Sequence, residues 1–98
     1  MNIADAYDEL LNQGSSLFME QIATLTSFQL NFLRALSDGV HTGFTSESTM
    51  NSYNLGTKSN VSRIQKALIE KELVEKVESS YHVADPVFAA WFKRCYMD

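Results

Sequence analysis

The chain has 98 residues, a formal net charge of −4, 45% hydrophobic residues and 20% charged residues. This length and composition indicate one globular domain and exclude a disordered or low-complexity chain. The acidic charge argues against a protein that coats nucleic acid through bulk positive charge, and no apolar run approaches the ~20 residues of a membrane span.

The first part of the chain predicts two helices. An imperfect apolar stripe predicts a leading helix over residues 1–24, with Gly14-Ser15-Ser16 as an interruption. In the second helix, Thr26 and Gln29 have the spacing of a capping box, and Asp38-Gly39 ends the helix. Its predicted apolar face consists of Phe28, Phe32, Ala35 and Leu36.

The middle of the chain predicts two helices joined by a tight turn. Val40–Phe44 is short and extended, and a brief polar helix then runs to about Tyr53. Asn54–Thr57 is predicted as the turn, and the next helix runs from about Ser59 to Glu72. The apolar stripe of that helix is Val61, Ile64, Ala67, Leu68 and Ile69. Its predicted outward positions are Ser59, Asn60, Ser62, Arg63 and Lys66.

The last part predicts a hairpin and a closing helix. Leu73–Val77 and Tyr81–Val83 are β-prone, and Glu78–Ser80 forms the tip. Asp85-Pro86 suits the start of a helix, whose apolar face carries Phe88, Trp91 and Phe92. The whole order predicts a mostly helical α+β fold. We expect a winged helix-turn-helix with a small β-hairpin wing over residues 25–98, preceded by the helix at 1–24 and closed by a C-terminal helix. Its core is expected to join Phe28, Phe32, Leu36, Ile64, Leu68 and the last helix.

No pattern for catalysis or metal binding is present in the sequence. The motifs GxSxG, HExxH and GxGxxG are missing, and Gly56-Thr57-Lys58-Ser59 lacks the glycine directly before lysine that a phosphate loop needs. The single Cys95 excludes an internal disulfide, and His41 and His82 have no ligand spacing. We therefore expect no catalytic residue, no cofactor, no metal and no membrane partner. The lone cysteine and the acidic start, which carries Asp5 where a secretory signal has basic residues, predict a cytoplasmic protein.

Several segments of the sequence resemble a known family. They are Leu25–Leu36, Tyr53–Thr57, Asn60–Arg63, Asp85–Phe88 and Trp91-Phe92. Together they are similar to the C-terminal end of AAA+/STAND-type prokaryotic P-loop ATPases, particularly those common in Bacteroides, over about residues 20–95. The most specific pieces are the opening Leu-Thr-x-x-Gln-x-x-x-Leu and the closing Asp-Pro-Val-Phe-x-x-Trp.

The resemblance implies a winged helix that follows the nucleotide-binding and lid domains of such an ATPase. Residues 1–24 would then be the last helix of the lid region or the linker after it. The chain has no Walker A motif, no Walker B motif and no arginine finger, so the resemblance implies a separated domain or a stand-alone relative that does not hydrolyse ATP. A smaller departure is Glu72, where winged helices often have glycine before the first hairpin strand.

Binding to double-stranded DNA is the first functional hypothesis. In a winged helix, the helix after the tight turn enters the major groove, and the hairpin contacts the backbone or minor groove. Arg and Asn side chains suit base edges, and Lys and Ser suit phosphates. Residues 58–76 hold five basic and three acidic residues, a net charge of +2, whereas the other residues sum to −6. The candidate contacts are Lys58, Ser59, Asn60, Ser62, Arg63, Lys66 and Lys76.

The second hypothesis is a protein-interaction or regulatory module of the ATPase, without DNA binding. Its partners would be the nucleotide-binding and lid domains or another protein. Glu75 and Glu78 lie in or beside the predicted wing and would repel phosphate, and exposed basic residues often serve only solvation. The acidic first helix and the aromatic last helix offer surfaces for a protein partner. Both hypotheses are consistent with the sequence.

Overall fold

The computed structural model describes residues 16–96, so residues 1–15 of the leading helix predicted over residues 1–24 lie outside the described residues. Residues 16–23 are helical and are named α1 here. The further elements are α2 (Ser27–Ser37), α3 (Glu47–Tyr53), α4 (Lys58–Glu70), β1 (Val74–Val77), β2 (Ser80–Val83) and α5 (Pro86–Tyr96). Within residues 16–96 this is a mostly helical α+β fold of five helices and one antiparallel hairpin. The predicted winged-helix order is confirmed.

Side-chain caps determine where the helices begin. At α2, the Gln29 amide donates to Thr26 Oγ1 at 3.2 Å, and the Thr26 amide donates to Gln29 Oε1 at 3.0 Å. This reciprocal pair is the predicted capping box, which satisfies two amides that the helix leaves without partners. At α5, the Val87 amide donates to Asp85 Oδ1 at 2.9 Å, as expected for an aspartate directly before the helix. Both caps are therefore encoded locally.

The end of α2 is a Schellman motif. The Gly39 amide donates to the Leu36 carbonyl and the Val40 amide to the Ala35 carbonyl, each at 3.0 Å. Gly39 has a φ of 96°, which is in the range that glycine adopts without a Cβ penalty. The predicted stop at Asp38-Gly39 is confirmed.

The end of α4 has the same motif with a different residue at the left-handed position. The Glu72 amide donates to the Ile69 carbonyl and the Leu73 amide to the Leu68 carbonyl, each at 3.0 Å. Glu72 has a φ of 62°, a conformation that costs a residue with a Cβ about 1 kcal/mol. This turn ends α4 at Glu70, two residues before the predicted end.

The hairpin pairs Val74 with Val83 and Val77 with Ser80 in an antiparallel register. The Val77–Ser80 pair leaves a two-residue loop, one residue shorter than predicted, because the ladder extends to Ser80. Glu78 in this loop has a φ of 58°. The extended segment predicted around His41 lies beside β2, where the Tyr81 amide donates to the His41 carbonyl at 2.9 Å. It joins the sheet by this bond without forming a strand of its own.

One core connects the helices, and α3, which has no fully buried residue, packs against it through the partly buried Met50 and Tyr53. Trp91 is 2% exposed and Phe18 of α1 lies against it, with ring centroids 5.3 Å apart. The predicted core positions Phe32, Leu36, Ile64 and Leu68 are confirmed as buried. The buried set is Phe18, Ile22, Phe32, Leu33, Ala35, Leu36, Phe44, Leu55, Val61, Ile64, Leu68, Leu73, Val74, Phe88, Trp91 and Phe92.

One predicted core position, Phe28, and one residue of a predicted apolar stripe, Ile69, are exposed. Phe28 is 40% exposed and Ile69 is 39% exposed. Phe28 lies in the first turn of α2 and Ile69 near the last turn of α4, and helical spacing gives the direction of a side chain but not whether another element covers it. In α2 the buried stripe is completed by Leu33 instead. No helix within residues 16–96 is long and apolar enough to cross a membrane.

Candidate nucleic-acid interface

The turn between α3 and α4 sets the position of α4. Asn54 ends α3 in the left-handed region with a φ of 54°, and Gly56 follows with a φ of 84°. Leu55 between them is fully buried, and its amide donates to the Met50 carbonyl at 3.0 Å. Thr57 then begins α4, because its hydroxyl accepts from the Asn60 amide. The turn is thus anchored in the core by one leucine.

Asn60 closes this turn instead of pointing outward. Its side-chain amide donates to the Leu55 carbonyl at 2.8 Å, and the residue is partly buried. A Cβ at Gly56 would come within 2.9 Å of Asn60 Nδ2, so the two residues fit closely. The prediction that Asn60 belongs to the outward face is wrong, because its amide supplies a donor to a turn carbonyl.

Two side-chain hydrogen bonds connect this helix-turn-helix unit to α2. Asn31 Nδ2 donates to the Asn54 carbonyl at 3.1 Å. The Tyr53 hydroxyl donates to Asp38 Oδ2 at 2.7 Å. That hydrogen bond is the main cause that raises the pKa of Tyr53 above its usual value, and partial burial and the charge of Asp38 add to it. These bonds position α3 although it buries no residue completely.

The exposed face of α4 carries five of the six helix residues predicted as DNA contacts. The opposite face of α4 is buried through Val61, Ile64 and Leu68, so the rotation of the helix about its own axis is fixed. The exposed candidates are Lys58, Ser59, Ser62, Arg63 and Lys66. Their predicted orientation is therefore confirmed, and their role stays a prediction.

A groove of about 360 Å³ lies between α4 and the hairpin. We name it the α4–hairpin groove. Ser62 and Lys66 border it from α4, and Lys76 borders it from β1. The sequence candidates on the two elements are therefore brought to one surface. The groove does not include Lys58 and Ser59, which lie at the start of α4. It also does not include Arg63, which lies along the other side of the exposed face.

Cross-strand packing positions Lys76. It is opposite Tyr81 in the hairpin, and its Nζ lies 5.7 Å from the centroid of the Tyr81 ring. This is a cation–π distance, and such contacts contribute about 0.5–1 kcal/mol at exposed sites. The tyrosine ring thus directs the ammonium toward the groove that faces α4.

Sequence reasoning missed four residues of the groove. Gln65 and Ile69 border it from α4, and Tyr81 borders it from β2. Gln65 is three residues after Ser62, so helical spacing could have found it. Tyr81 had no comparable signal, since its place depends on how the hairpin packs against α4. Glu70 also borders the groove and makes it less positive.

The matched family agrees with this geometry. Residues 16–94 match the model of a family described as a probable winged helix domain. The chain belongs to this family. No match was found among curated proteins or among solved structures. Among residues 16–96 of this winged helix domain, no three His, Cys, Asp or Glu side chains come together to hold a metal ion.

The family match gives no link to an AAA+/STAND ATPase. The two most specific sequence segments of that resemblance contain helix caps and buried core residues. The opening piece contains the Thr26–Gln29 capping box, and the closing piece contains the Asp85 cap and the buried Phe88 and Trp91. These residues therefore have structural roles in the winged helix domain.

Proposed function

We propose that this winged helix domain binds double-stranded DNA through the exposed face of α4 and the hairpin. The observation that carries the proposal is the α4–hairpin groove, where Lys66 and Lys76 border one surface from two elements. A winged helix presents these same two elements to the major groove and the backbone. The domain is non-catalytic in this role.

Phosphate contacts would orient the domain on the duplex. Lys58 and Ser59 are exposed in the first turn of α4, where free backbone amides favour an anion. Lys66 and Lys76 lie further along the same surface. Because residues 58–76 have a net charge of +2 on a body of −6, the acidic remainder disfavours other orientations. The small positive excess also predicts weak binding that is lost early as salt rises.

Base contacts would come from the middle of α4. Arg63 is exposed and suits the O6 and N7 acceptors of guanine, and Gln65 suits adenine. Ile69 offers an apolar surface for a thymine methyl group. Asn60 is left out of this set, because its side-chain amide is engaged by the Leu55 carbonyl.

Fluorescence anisotropy on random duplex DNA at low salt tests the proposal. We expect the Arg63→Ala/Lys66→Ala variant to bind at least about tenfold more weakly than the unchanged protein, since a lost base contact alone costs about 1–3 kcal/mol. The matched control is Lys93→Ala/Arg94→Ala, which removes the same charges from α5. No binding by the unchanged protein, or equal weakening in both double variants, would contradict the recognition-helix proposal.

A protein-interaction or regulatory module of an AAA+/STAND ATPase is the second candidate. Exposed apolar side chains beside the basic residues favour a protein partner, since Ile69 is 39% exposed and Val77 is 53% exposed. Its partner would be the nucleotide-binding and lid domains or another protein. A P-loop domain encoded in the same gene, together with no DNA binding at low salt, would support this candidate over the first.

We also propose that the domain neither binds nor hydrolyses ATP and works in the cytoplasm. The Gly56–Ser59 segment forms the turn into α4, and the Thr57 hydroxyl is used as the helix cap. Phosphoryl transfer needs a backbone cradle, a lysine and a held Mg²⁺, and the sequence has only a fragment of that pattern. Saturable ATP binding in calorimetry that Lys58→Ala abolishes would contradict this proposal.

A further inference from the structure

The ring of Tyr81 connects the hairpin to the buried core. Phe32 of α2 and Phe44 stack on each other, with ring centroids 4.4 Å apart. The Tyr81 ring meets both of them edge-to-face, at 6.1 Å from Phe32 and 5.8 Å from Phe44, with planes 88° and 86° apart. This is a favoured geometry for aromatic pairs, and both phenylalanines are themselves buried. The Tyr81 ring is therefore held in place by the core.

The backbone of Tyr81 is held by His41, which lies forty residues earlier in the chain. The Tyr81 amide donates to the His41 carbonyl, and His41 Nδ1 lies 2.9 Å from the Tyr81 carbonyl oxygen. Because a carbonyl only accepts, Nδ1 is the donor in the second bond. The His41 ring also stacks on His82, the next residue of β2, with centroids 4.5 Å apart. These contacts fix β2 against the segment that precedes α3.

The side chain of Lys76 extends over the Tyr81 ring. The two residues are directly opposite in the hairpin register. Because the amide and the carbonyl of Tyr81 point to His41, this is a non-hydrogen-bonded pair, the kind in which opposite side chains lie closer together. The Lys76 Nζ lies 5.7 Å from the ring centroid, within the range of a cation–π contact. The ring is thus a fixed support for an ammonium at the end of a flexible four-carbon chain.

We propose that Tyr81 is a positioning residue for DNA binding, which keeps the Lys76 ammonium at the hairpin side of the α4–hairpin groove for a phosphate. This inference rests on the proposed function. Tyr81 acts through Lys76 and makes no contact with DNA in this role. An ammonium that is already in place loses less conformational entropy when a phosphate binds. Without the ring, the same ammonium is free to pair with Glu70, which borders the groove as well.

Fluorescence anisotropy with random duplex DNA, measured on the full chain over a range of salt, tests this role. We expect Lys76→Gln to bind about fivefold to tenfold more weakly at low salt and to lower the salt slope by about one. Tyr81→Leu keeps the charge and removes the ring, so it is expected to weaken binding about twofold to fivefold, the factor that an exposed cation–π contact contributes. Tyr81→Phe keeps the ring and is expected to leave binding unchanged.

The variant that carries both Lys76→Gln and Tyr81→Leu separates positioning from general damage to the fold. If Tyr81 acts through Lys76, the double variant binds no more weakly than Lys76→Gln alone, since the ring has no ammonium left to place. A merely structural role predicts instead that the two losses multiply. Tyr96→Leu is the matched control, because this partly buried tyrosine lies in α5 and does not border the groove. We expect it to leave DNA binding unchanged.

A measurement without DNA keeps this inference separable from the proposed function. In the NMR spectrum of the unchanged protein and of Tyr81→Phe, the Lys76 protons next to Nζ are expected upfield of their usual position, because they lie over an aromatic ring. Neither protein depends on whether Tyr81→Leu folds. Absence of DNA binding by the unchanged protein contradicts the proposed function and, with it, the role of Tyr81 in binding. If the unchanged protein binds DNA, an unshifted Lys76 resonance, weaker binding by Tyr81→Phe, or multiplying losses in the double variant overturns the positioning role alone.

Discussion

The two sides of this winged helix domain are held together by different interactions. On the aromatic side, defined by α1 and α5, Phe18, Phe88, Trp91 and Phe92 are buried against one another, with Phe18 and Phe88 in an edge-to-face contact at 5.2 Å. On the turn side, defined by α3, the α3–α4 turn and the start of α4, caps and single hydrogen bonds add to the packing of Leu55, Val61 and the partly buried Met50 and Tyr53. α3 has no fully buried residue, and Leu55 is the apolar anchor of the turn.

This difference separates the source of stability from the surface proposed to bind DNA. Apolar burial contributes about 25 cal/mol per Å², so the aromatic side carries a large share of the folding free energy. The exposed face of α4 contributes little to it, and substitutions there change binding at a small cost in stability. Substitutions on the aromatic side are therefore expected to have the largest effects on stability.

The largest expected effect is on the aromatic side. Trp91→Ala removes a ring that is 2% exposed, and we expect the free energy of unfolding to fall by about 3–5 kcal/mol. Urea unfolding followed by circular dichroism measures it. Phe28→Ala is the control, because this ring is 40% exposed and its loss should cost less than about 1 kcal/mol. Similar losses for the two variants would contradict the described core.

On the turn side, the largest effect is expected at Asn60. Asn60→Ala removes the side-chain donor and leaves the partly buried Leu55 carbonyl without this hydrogen bond. We therefore expect the free energy of unfolding to fall by about 1–2 kcal/mol. Ser62→Ala, two residues later on the exposed face, should change stability by less than about 0.5 kcal/mol. If the Asn60 variant unfolds at the same urea concentration as the unchanged protein, the turn is not held by this side chain.

The Tyr53–Asp38 bond is expected to make stability depend on alkaline pH. Tyr53→Phe should cost about 0.5–1 kcal/mol near neutral pH, where the hydroxyl is protonated and donates. The bond raises the pKa of Tyr53 above 10.0, so its contribution is present below that value and is lost as the pH rises through the raised pKa. The stability difference between the two proteins should therefore shrink between pH 8 and strongly alkaline pH. A constant difference across this range would show that the bond does not contribute through the neutral hydroxyl.

Effects of similar size and opposite sign are expected at two helix ends with the same motif. Glu72→Gly removes the penalty of a Cβ at φ 62° and should stabilise the protein by about 0.5–1 kcal/mol. Gly39→Ala introduces that penalty at φ 96° and should destabilise it by about 1 kcal/mol, although nothing lies within 4 Å of the added Cβ. Thermal unfolding measures both changes. Shifts of the same sign would contradict the assignment of the two ends to one motif.

The sequence was sufficient to predict the helix ends that are determined by neighbouring residues. The capping box at Thr26, the stop at Gly39 and the aspartate cap of α5 each depend on residues within a few positions, and all three are confirmed. The end of α4 was predicted too late, because Glu72 takes a left-handed conformation without the glycine that would signal it.

The candidate site was less accessible to sequence reasoning. Exposure of Lys58, Ser59, Ser62, Arg63 and Lys66 follows from helical spacing, since Val61, Ile64 and Leu68 fix the buried face. Asn60 was misplaced because hydrogen bonding to a turn carbonyl overrode its position on the helix. The groove beside Tyr81, and the stack of His41 on His82, arise from packing between segments that are distant in sequence.

Trp91 is the chain's only tryptophan, and it is buried at the centre of the aromatic side. Its emission therefore reports the environment of α1 and α5 without any introduced label. The helical signal in circular dichroism, by contrast, sums over all helices and includes α3 and α4. The protein thus carries an intrinsic optical probe for one side and a global probe for the whole. Coincident or separate transitions of the two signals would distinguish a domain that unfolds as one cooperative unit from one whose turn side opens first.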